Sequence, residues 1–432
     1  MTASPQSPGT TDTPPPASGP IAFSPAWRWS IVWLMFFATM INYMDRQALN
    51  SASPHIKQEF GLSEQDYGNI EFAFGLAFAI FQIVAGFLVD RFSIRVQYLL
   101  ALLIWSAAGI ATGLSNTLNA LLMCRVILGI GEAFNWPCAV ATVRRIVPRD
   151  QRALANGIFH SGATIGAVLT PLLAVLLISS GTGEGWRNLF YVVGALGGVW
   201  AIFWIMLTRG VEGRAIDTPA PAESESESAN EANTRMRDVF AMRRFWIAII
   251  VGCSVNFCWH FYRIWFVRYM DLGLAIQGNQ LQYLLAGFYI CADLGSLIAG
   301  YFTQWFSRNG WTVERSRKIV MVSTALLCLL TTPALWLGSS PWAFVLFYLV
   351  AAGSMGGFAN YFALSQDIVS RHTGQILGII GATSWFLIAP VQPLVGAYYD
   401  QHQTFVPIFI GISFVPIAGA LVGCLWPEPK RS

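Results

Sequence analysis

The chain has 432 residues, 55% hydrophobic and 11% charged, with a formal net charge of +3 at pH 7. Soluble domains carry about 25% charged residues, and no soluble fold of this length needs so many long apolar runs. The composition is that of a polytopic membrane protein, and the net charge is too small to suggest nucleic acid as a partner.

The first 24 residues are rich in Pro, Ser and Thr and lack an apolar core. They read as a disordered tail, assigned to 1–27, rather than a signal peptide. Twelve spans follow, at about 29–49, 68–89, 98–114, 119–143, 153–178, 188–208, 245–269, 281–305, 318–337, 341–365, 374–396 and 405–426. Each is long enough to cross a bilayer as a helix. Between the sixth and seventh spans, Glu223-Ser224-Glu225-Ser226-Glu227-Ser228 lies in a stretch with no apolar seed for a core. Residues 209–244 are therefore a flexible linker between a first half, 28–208, and a second half, 245–426, with a short tail at 427–432. The expected fold is all-α, two six-helix halves.

Basic residues set the orientation. Outside the spans, 20 of 23 Lys and Arg residues fall on the side carrying both termini. The positive-inside rule then places both termini in the cytoplasm and the protein in the cell inner membrane. The seven cysteines lie mostly in apolar runs without a C-x-x-C pair, which argues against a disulfide framework or metal site.

Ionisable residues inside spans are costly and usually functional. The first span is interrupted by Asn42-Tyr43-Met44-Asp45-Arg46-Gln47. Asn42, Asp45 and Arg46 share a helical face, which either lines a water-filled pathway or marks a helix end with Arg46 snorkelling to the interface. In the second span Glu71, Phe74, Gly75, Phe78 and Gln82 share a face, with Glu71 read as a solvated helix terminus. The fourth span carries Arg125, Gly129, Glu132 and Asn135. Arg125 and Glu132 are two turns apart on one face, so Glu132 offers Arg125 a partner, functional or purely structural. The seventh span sets Asn256, Trp259, His260 and Arg263 on one face; Arg263 either meets an anionic substrate or pairs with Asp293. Later spans supply Asn360, Tyr361, Ser384 and Trp385, the last a platform for a sugar ring or a core residue. Asp367 and Arg371 are expected to clasp at the cytoplasmic end.

Two six-helix halves around a charged loop resemble the major facilitator superfamily. The segment Gly86-Phe87-Leu88-Val89-Asp90-Arg91-Phe92-Ser93-Ile94-Arg95 is similar to its G-x-L-x-D-R-x-G-R-R/K signature, with Ser93 and Ile94 as departures. The resemblance implies a gating clasp at Asp90 and Arg91. Gly131-Glu132-Ala133-Phe134-Asn135-Trp136-Pro137, then Pro148 and Arg152 to Gly162, resembles the G-E-A-x-N-x-P … P-x-x-x-R-A-L-A-x-G-I-F-N-S-G run of the anion:cation symporter family. His160 replaces an Asn there, and Thr164 stands where an amide is common. Asn42 to Arg46 matches that family's N-Y-x-D-R stretch. Trp259-His260-Phe261-Tyr262-Arg263-Ile264-Trp265 is similar to the W-W-F-Y-x-x-W of its hexuronate branch, departing at His260 and Arg263.

The resemblance implies proton-coupled uptake of a hexuronate-like sugar acid by alternating access. Arg46 and Arg125 would hold the substrate carboxylate, and Asp45 and Glu132 would carry protons. Tyr43, Asn135, His160, Thr164, Trp259, His260, Asn360 and Trp385 would complete the substrate site. A planar guanidinium suits bidentate carboxylate capture, and burial disfavours the charged form of a carboxylate, in agreement with those roles. The alternatives are transport of an aldonate, an aldarate or a similar carboxylate, or export by the same kind of fold. The expected partners are a small carboxylate, a proton and membrane lipid, with the monomer as working unit. No cofactor and no enzymatic activity are expected.

Overall fold

The computed structural model describes residues 24–89, 91–148, 151–178, 185–217, 236–368 and 373–426. Every regular element among them is helical. Numbered as membrane spans, they are α1 Pro25–Phe60, α2 Glu64–Leu88, α3 Ile94–Leu114, α4 Leu118–Ile146, α5 Arg152–Ile178 and α6 Gly185–Thr208. The second half contributes α7 Arg243–Arg268, α8 Gly278–Arg308, α9 Val313–Trp336, α10 Pro341–Gln366, α11 Thr373–His402 and α12 Val406–Gly423. Eleven of these helices are long and apolar enough to cross a membrane; α1 is the exception. At 36 residues α1 has the length, but the buried stripe Asn42, Asp45, Arg46, Gln47, Asn50, Ser51 and Ser53 dilutes its hydropathy.

Local sequence explains where the helices begin and break. Ser24 caps α1 by accepting from the Trp27 N–H, and Pro25 needs no donor at the first turn. Helix α1 thus takes in the last three residues of the expected tail, 25–27, and residues 1–23 lie outside the described residues. Gly61 ends it with φ 63, a left-handed conformation that costs glycine nothing. Ser63 and Asp66 form a reciprocal capping box on α2. Four expected spans are interrupted near their middles. The breaks are at Ala133–Phe134 in α4, Leu329–Leu330 in α9, Ala389–Pro390 in α11 and Phe414 in α12. Each lies within four residues of a proline (Pro137, Pro333, Pro393 and Pro416), which removes an i→i−4 hydrogen bond.

Within the first half α1 packs on α5 and α6, α2 on α4, and α3 on α4 and α6; in the second, α10 packs on α7, α8 and α9. The halves meet through two symmetry-related pairs, α2 with α11 and α5 with α8. Each pair joins the second helix of one half to the fifth of the other. Gly68 and Gly396 let α2 and α11 touch: a Cβ on Gly68 would lie 2.4 Å from the Gln392 carbonyl oxygen. Outward-facing Leu176, Met206, Leu297 and Leu421 are exposed, as a lipid-facing surface requires.

The expected linker, 209–244, has structure at both edges. Short helices occupy Val211–Ala215 and Met236–Ala241; residues 218–235, including the Glu/Ser tract, lie outside the described residues. Asp217 accepts from Arg95 Nε at 2.7 Å and from Ser93 Oγ at 2.8 Å. The loop after α2 therefore docks the start of the linker onto the first half. Arg91 is exposed, and its expected partner Asp90 lies outside the described residues. So does Arg371; Asp367 instead pairs with Arg317.

Candidate functional site at the centre of the bundle

Arg46 sits midway along α1, and Glu132 ends the first segment of α4, where the helix breaks. Arg46 Nε donates to Glu132 Oε2 at 2.5 Å, with side-chain exposures of 4% and 0%. This departs from the expected Arg125–Glu132 pair. Two residues on one helix face share a direction, but a carboxylate at a helix break also reaches the neighbouring helix. The Arg46 guanidinium is ringed by aromatics, its carbon 4.5 Å from the Phe78 centroid, 5.1 Å from Phe74, 5.3 Å from Tyr43 and 6.0 Å from Trp385. Such faces stabilise a cation without satisfying its N–H groups.

The centre is short of hydrogen-bond partners. Among the described residues, Arg46 Nη2, Glu132 Oε1, Arg125 Nε and Nη2, and both Asp45 carboxyl oxygens are buried with none. Leaving a buried polar group unmade is costly, and native structures rarely do so without a function. Asp45 points at α3, where only a glycine fits: a Cβ on Gly109 would lie 2.7 Å from Asp45 Oδ1.

The second half faces this cluster with His260, Arg263 and Trp385. His260 and Trp385 lie with ring centroids 4.4 Å apart. Arg263 Nε donates to His260 Nδ1 at 3.3 Å, and Arg263 Nη2 lies 3.5 Å from Glu71 Oε2 across the interface between halves. Glu71 is 3% exposed, which corrects its reading as a solvated terminus, and Arg263 meets it rather than Asp293. Helix α2 continues a full turn and more beyond Glu71 to Glu64, so Glu71 lies inside the bundle. Asp293 is instead within hydrogen-bonding reach of Thr164 on the opposite half. Gln47 accepts from Tyr289 Oη at 2.6 Å and from Asn50 Nδ2 at 2.7 Å, while its own Nε2 is buried without a partner. Glu71, Gln47 and Tyr289 were not among the expected site residues. Gln47 was flagged by its neighbour Arg46 and Glu71 by the shared face of the second span, whereas no local signal pointed to Tyr289.

The remaining expected residues scatter. Asn135 is engaged inside the first half, accepting from Tyr98 Oη at 2.8 Å and donating to Thr39 at 3.2 Å. His160 packs against Trp136 with tilted rings, 4.6 Å between centroids, and meets Phe362 edge-on at 5.8 Å. Trp259 stacks on Phe288 in the second half's aromatic core, 6.2 Å between centroids. Asn360 lines a cleft with Met321, Leu364, Gly423 and Trp426, away from the centre. Trp385 is central, but Phe74, Phe78 and His260 surround it and leave it 5% exposed. Neither tryptophan offers a free flat face to a ring.

Beyond the centre, towards the end opposite the arginine-rich one, a polar layer closes the gap between halves. Arg268 donates to both oxygens of Glu64, at 2.6 and 3.1 Å, and to Asp271 at 2.7 Å. Lys57 also pairs with Glu64. Asp400, near the end of α11, accepts from the backbone N–H groups of Glu64 at 3.0 Å and Gln65 at 2.8 Å. It thereby caps the positive N-terminus of α2 from the other half. Asn50 donates to the Arg263 carbonyl at 2.9 Å, and Gln282 to that of Ser51 at 3.0 Å.

The comparisons with known proteins agree with this architecture. A probable L-galactonate transporter of Escherichia coli K12 is 28% identical over 402 residues, covering 90% of this chain and 86% of that protein. The hexuronate transporter of the same strain is 24% identical over 413 residues, covering 91% and 93%. A bacterial homologue of the human lysosomal transporter Spinster, solved inward-facing and unoccupied, superposes with a TM-score of 0.77 at 18% identity, covering 93% of this chain and 97% of that one. The model of the Major Facilitator Superfamily matches residues 35–393. This chain is a multi-pass membrane transporter, not an enzyme, and it belongs to the Major Facilitator Superfamily.

Proposed function

We propose that this protein imports a sugar acid across the inner membrane together with protons, by alternating access. The carrying observation is the buried Arg46–Glu132 pair, each partner keeping an unsatisfied polar atom, beside the unpaired donors of Arg125. Protonation of Glu132 removes the charge that holds Arg46, and the freed guanidinium takes a carboxylate with Arg125 as second donor. Loss of the proton restores the acid as a competitor and expels the anion. Substrate and proton then favour the same conformers, which suffices for coupling. Asp45, with both oxygens unsatisfied nearby, is the second proton carrier.

Alternating access follows from the placement of the site between two halves whose far ends are latched. The arginine-rich end faces the cytoplasm by the positive-inside rule, so this arrangement is closed to the outside. The hexuronate reading draws support from sequence resemblance and from the relatives' names. The packing around Trp259 and Trp385 gives ring-closed acids no special advantage over open chains. The geometry addresses the carboxylate.

The test uses reconstituted vesicles with an imposed pH gradient and galacturonate, glucuronate, galactonate and gluconate as substrates. The wild type should accumulate at least one of them. Glu132→Gln, a mimic of the protonated acid, should lose pH-driven accumulation while retaining exchange between loaded vesicles. Accumulation by Glu132→Gln up a proton gradient would place coupling elsewhere.

A further inference from the structure

Three buried arginines lie at or next to the interface between halves and are coordinated very differently. Arg268 is saturated, with three charge-assisted hydrogen bonds to Glu64 and Asp271. Arg46 has one short bond to Glu132 and a spare Nη2. Arg263 has a single carboxylate contact, at 3.5 Å, and spends its Nε on a neutral ring nitrogen of His260. That contact is far longer than the 2.7–2.9 Å of a charge-assisted bond, although Arg263 is buried to 2% exposure. A guanidinium so placed is held by its acid without being satisfied by it.

Arg46 and Arg263 come from opposite halves and flank the His260–Trp385 ring pair. The Arg46 guanidinium also lies 5.3 Å from the Tyr43 ring centroid. Gln47, next to Arg46 in α1, has a buried Nε2 without a partner, suited to a hydroxyl. We propose that Arg263 is a second anion-binding position of the central site, with Glu71 as its placeholder, and that the carried sugar acid has two anionic groups. One group lies on Arg46 of the first half and the other on Arg263 of the second. This rests on the carboxylate-transport reading above and narrows its substrate to an open-chain dicarboxylate of aldarate type.

The charges balance. With Asp45 and Glu132 protonated, Arg46, Arg125 and Arg263 face only the Glu71 carboxylate among these groups, leaving two positive charges for a dianion. A carboxylate arriving at Arg263 displaces Glu71 and takes over its contact. No buried charge is left without a counter-charge. A substrate gripped at both ends also ties the two halves together, and a monoanion does so at one end only.

The test compares galactarate with galacturonate, which share a six-carbon skeleton and differ by one carboxylate. Uptake into vesicles at equal proton gradient should give the wild type a higher kcat/KM for galactarate. In Arg263→Gln the ratio of galactarate to galacturonate should fall about tenfold or more, the loss of a charged hydrogen bond. In Glu71→Gln, galactarate binding measured by calorimetry in detergent should tighten more than galacturonate binding. An unchanged ratio in Arg263→Gln overturns the proposal, as does wild-type preference for galacturonate. Should Arg263→Gln fail to fold, Glu71→Gln decides alone: no selective gain for galactarate overturns it. Transport of neither acid by the wild type fails the sugar-acid reading as well, whereas galacturonate transport without galactarate preference fails this inference only.

Discussion

The centre and the far-end layer are both built from ionisable residues, and Arg268 and Glu64 are as buried as Arg46 and Glu132, yet the two clusters differ in coordination. At the far end, Arg268, Lys57, Glu64 and Asp271 use nearly every donor and acceptor on one another, and Asp400 adds two backbone bonds to α2. At the centre, Arg46, Arg125, Asp45 and Glu132 leave donors and acceptors unmade. Burial alone therefore does not separate a latch from a binding site: Arg268 and Arg125 are both 2% exposed. Completeness of pairing separates them. A saturated cluster lowers the energy of one arrangement of the halves, and an unsaturated one leaves donors and acceptors that the proposed substrate would complete.

The largest expected effect comes from spoiling the unsaturated side without changing its charge. Arg46→Lys and Arg125→Lys keep a cation but lose the planar fork. Each should weaken carboxylate binding by about 2–5 kcal/mol, the usual cost at a desolvated charge pair, as read by calorimetry in detergent. Wild-type affinity in both would move the site away from these arginines.

The saturated side should respond in conformation rather than affinity. Glu64→Gln removes the charge that Arg268 and Lys57 share, and breaking a buried pair costs about 3–5 kcal/mol. The population should shift towards forms open at the far end, as two-state arithmetic requires. Ser51, buried beneath that layer, reports the shift as Ser51→Cys. Its labelling by a membrane-impermeant maleimide should rise severalfold when Glu64→Gln is added, and unchanged labelling would mean the layer is not a gate.

The smallest effect sharpens the boundary of the centre. Asn360 is buried, 1% exposed, against a cleft among α9, α10 and α12, so Asn360→Ala should cost about 1 kcal/mol of stability and change uptake by the folded protein less than about twofold, on the order of 0.4 kcal/mol. A large loss of uptake with normal folding would bring Asn360 back into the pathway.

Much of the architecture was legible because the bilayer enforces it. Apolar run length, a direct consequence of hydrophobic thickness, marks out the membrane-spanning helices. The polar stripe of α1 was legible too, since charge inside a span announces itself. The helix breaks fall near Pro137, Pro333, Pro393 and Pro416, but Pro54 and Pro171 lie in unbroken helices, so proline alone does not locate a break.

Sequence by itself determined that this chain spans a membrane in two helical halves, and that Asp45, Arg46, Arg125, Glu132 and Arg263 are its costly residues. Only the tertiary structure decided who meets whom. Glu132 turned to Arg46 and left Arg125 open; Glu71 became a cross-half partner of Arg263; Asn135 and Trp259 turned inward to their own halves. The reason is geometric. Helical periodicity states which residues share a face of one helix, whereas pairing between helices depends on their rotation, depth and crossing. Those are set by close contacts such as Gly68 on Gln392 and Gly109 on Asp45, and such contacts bring together residues that no local pattern relates.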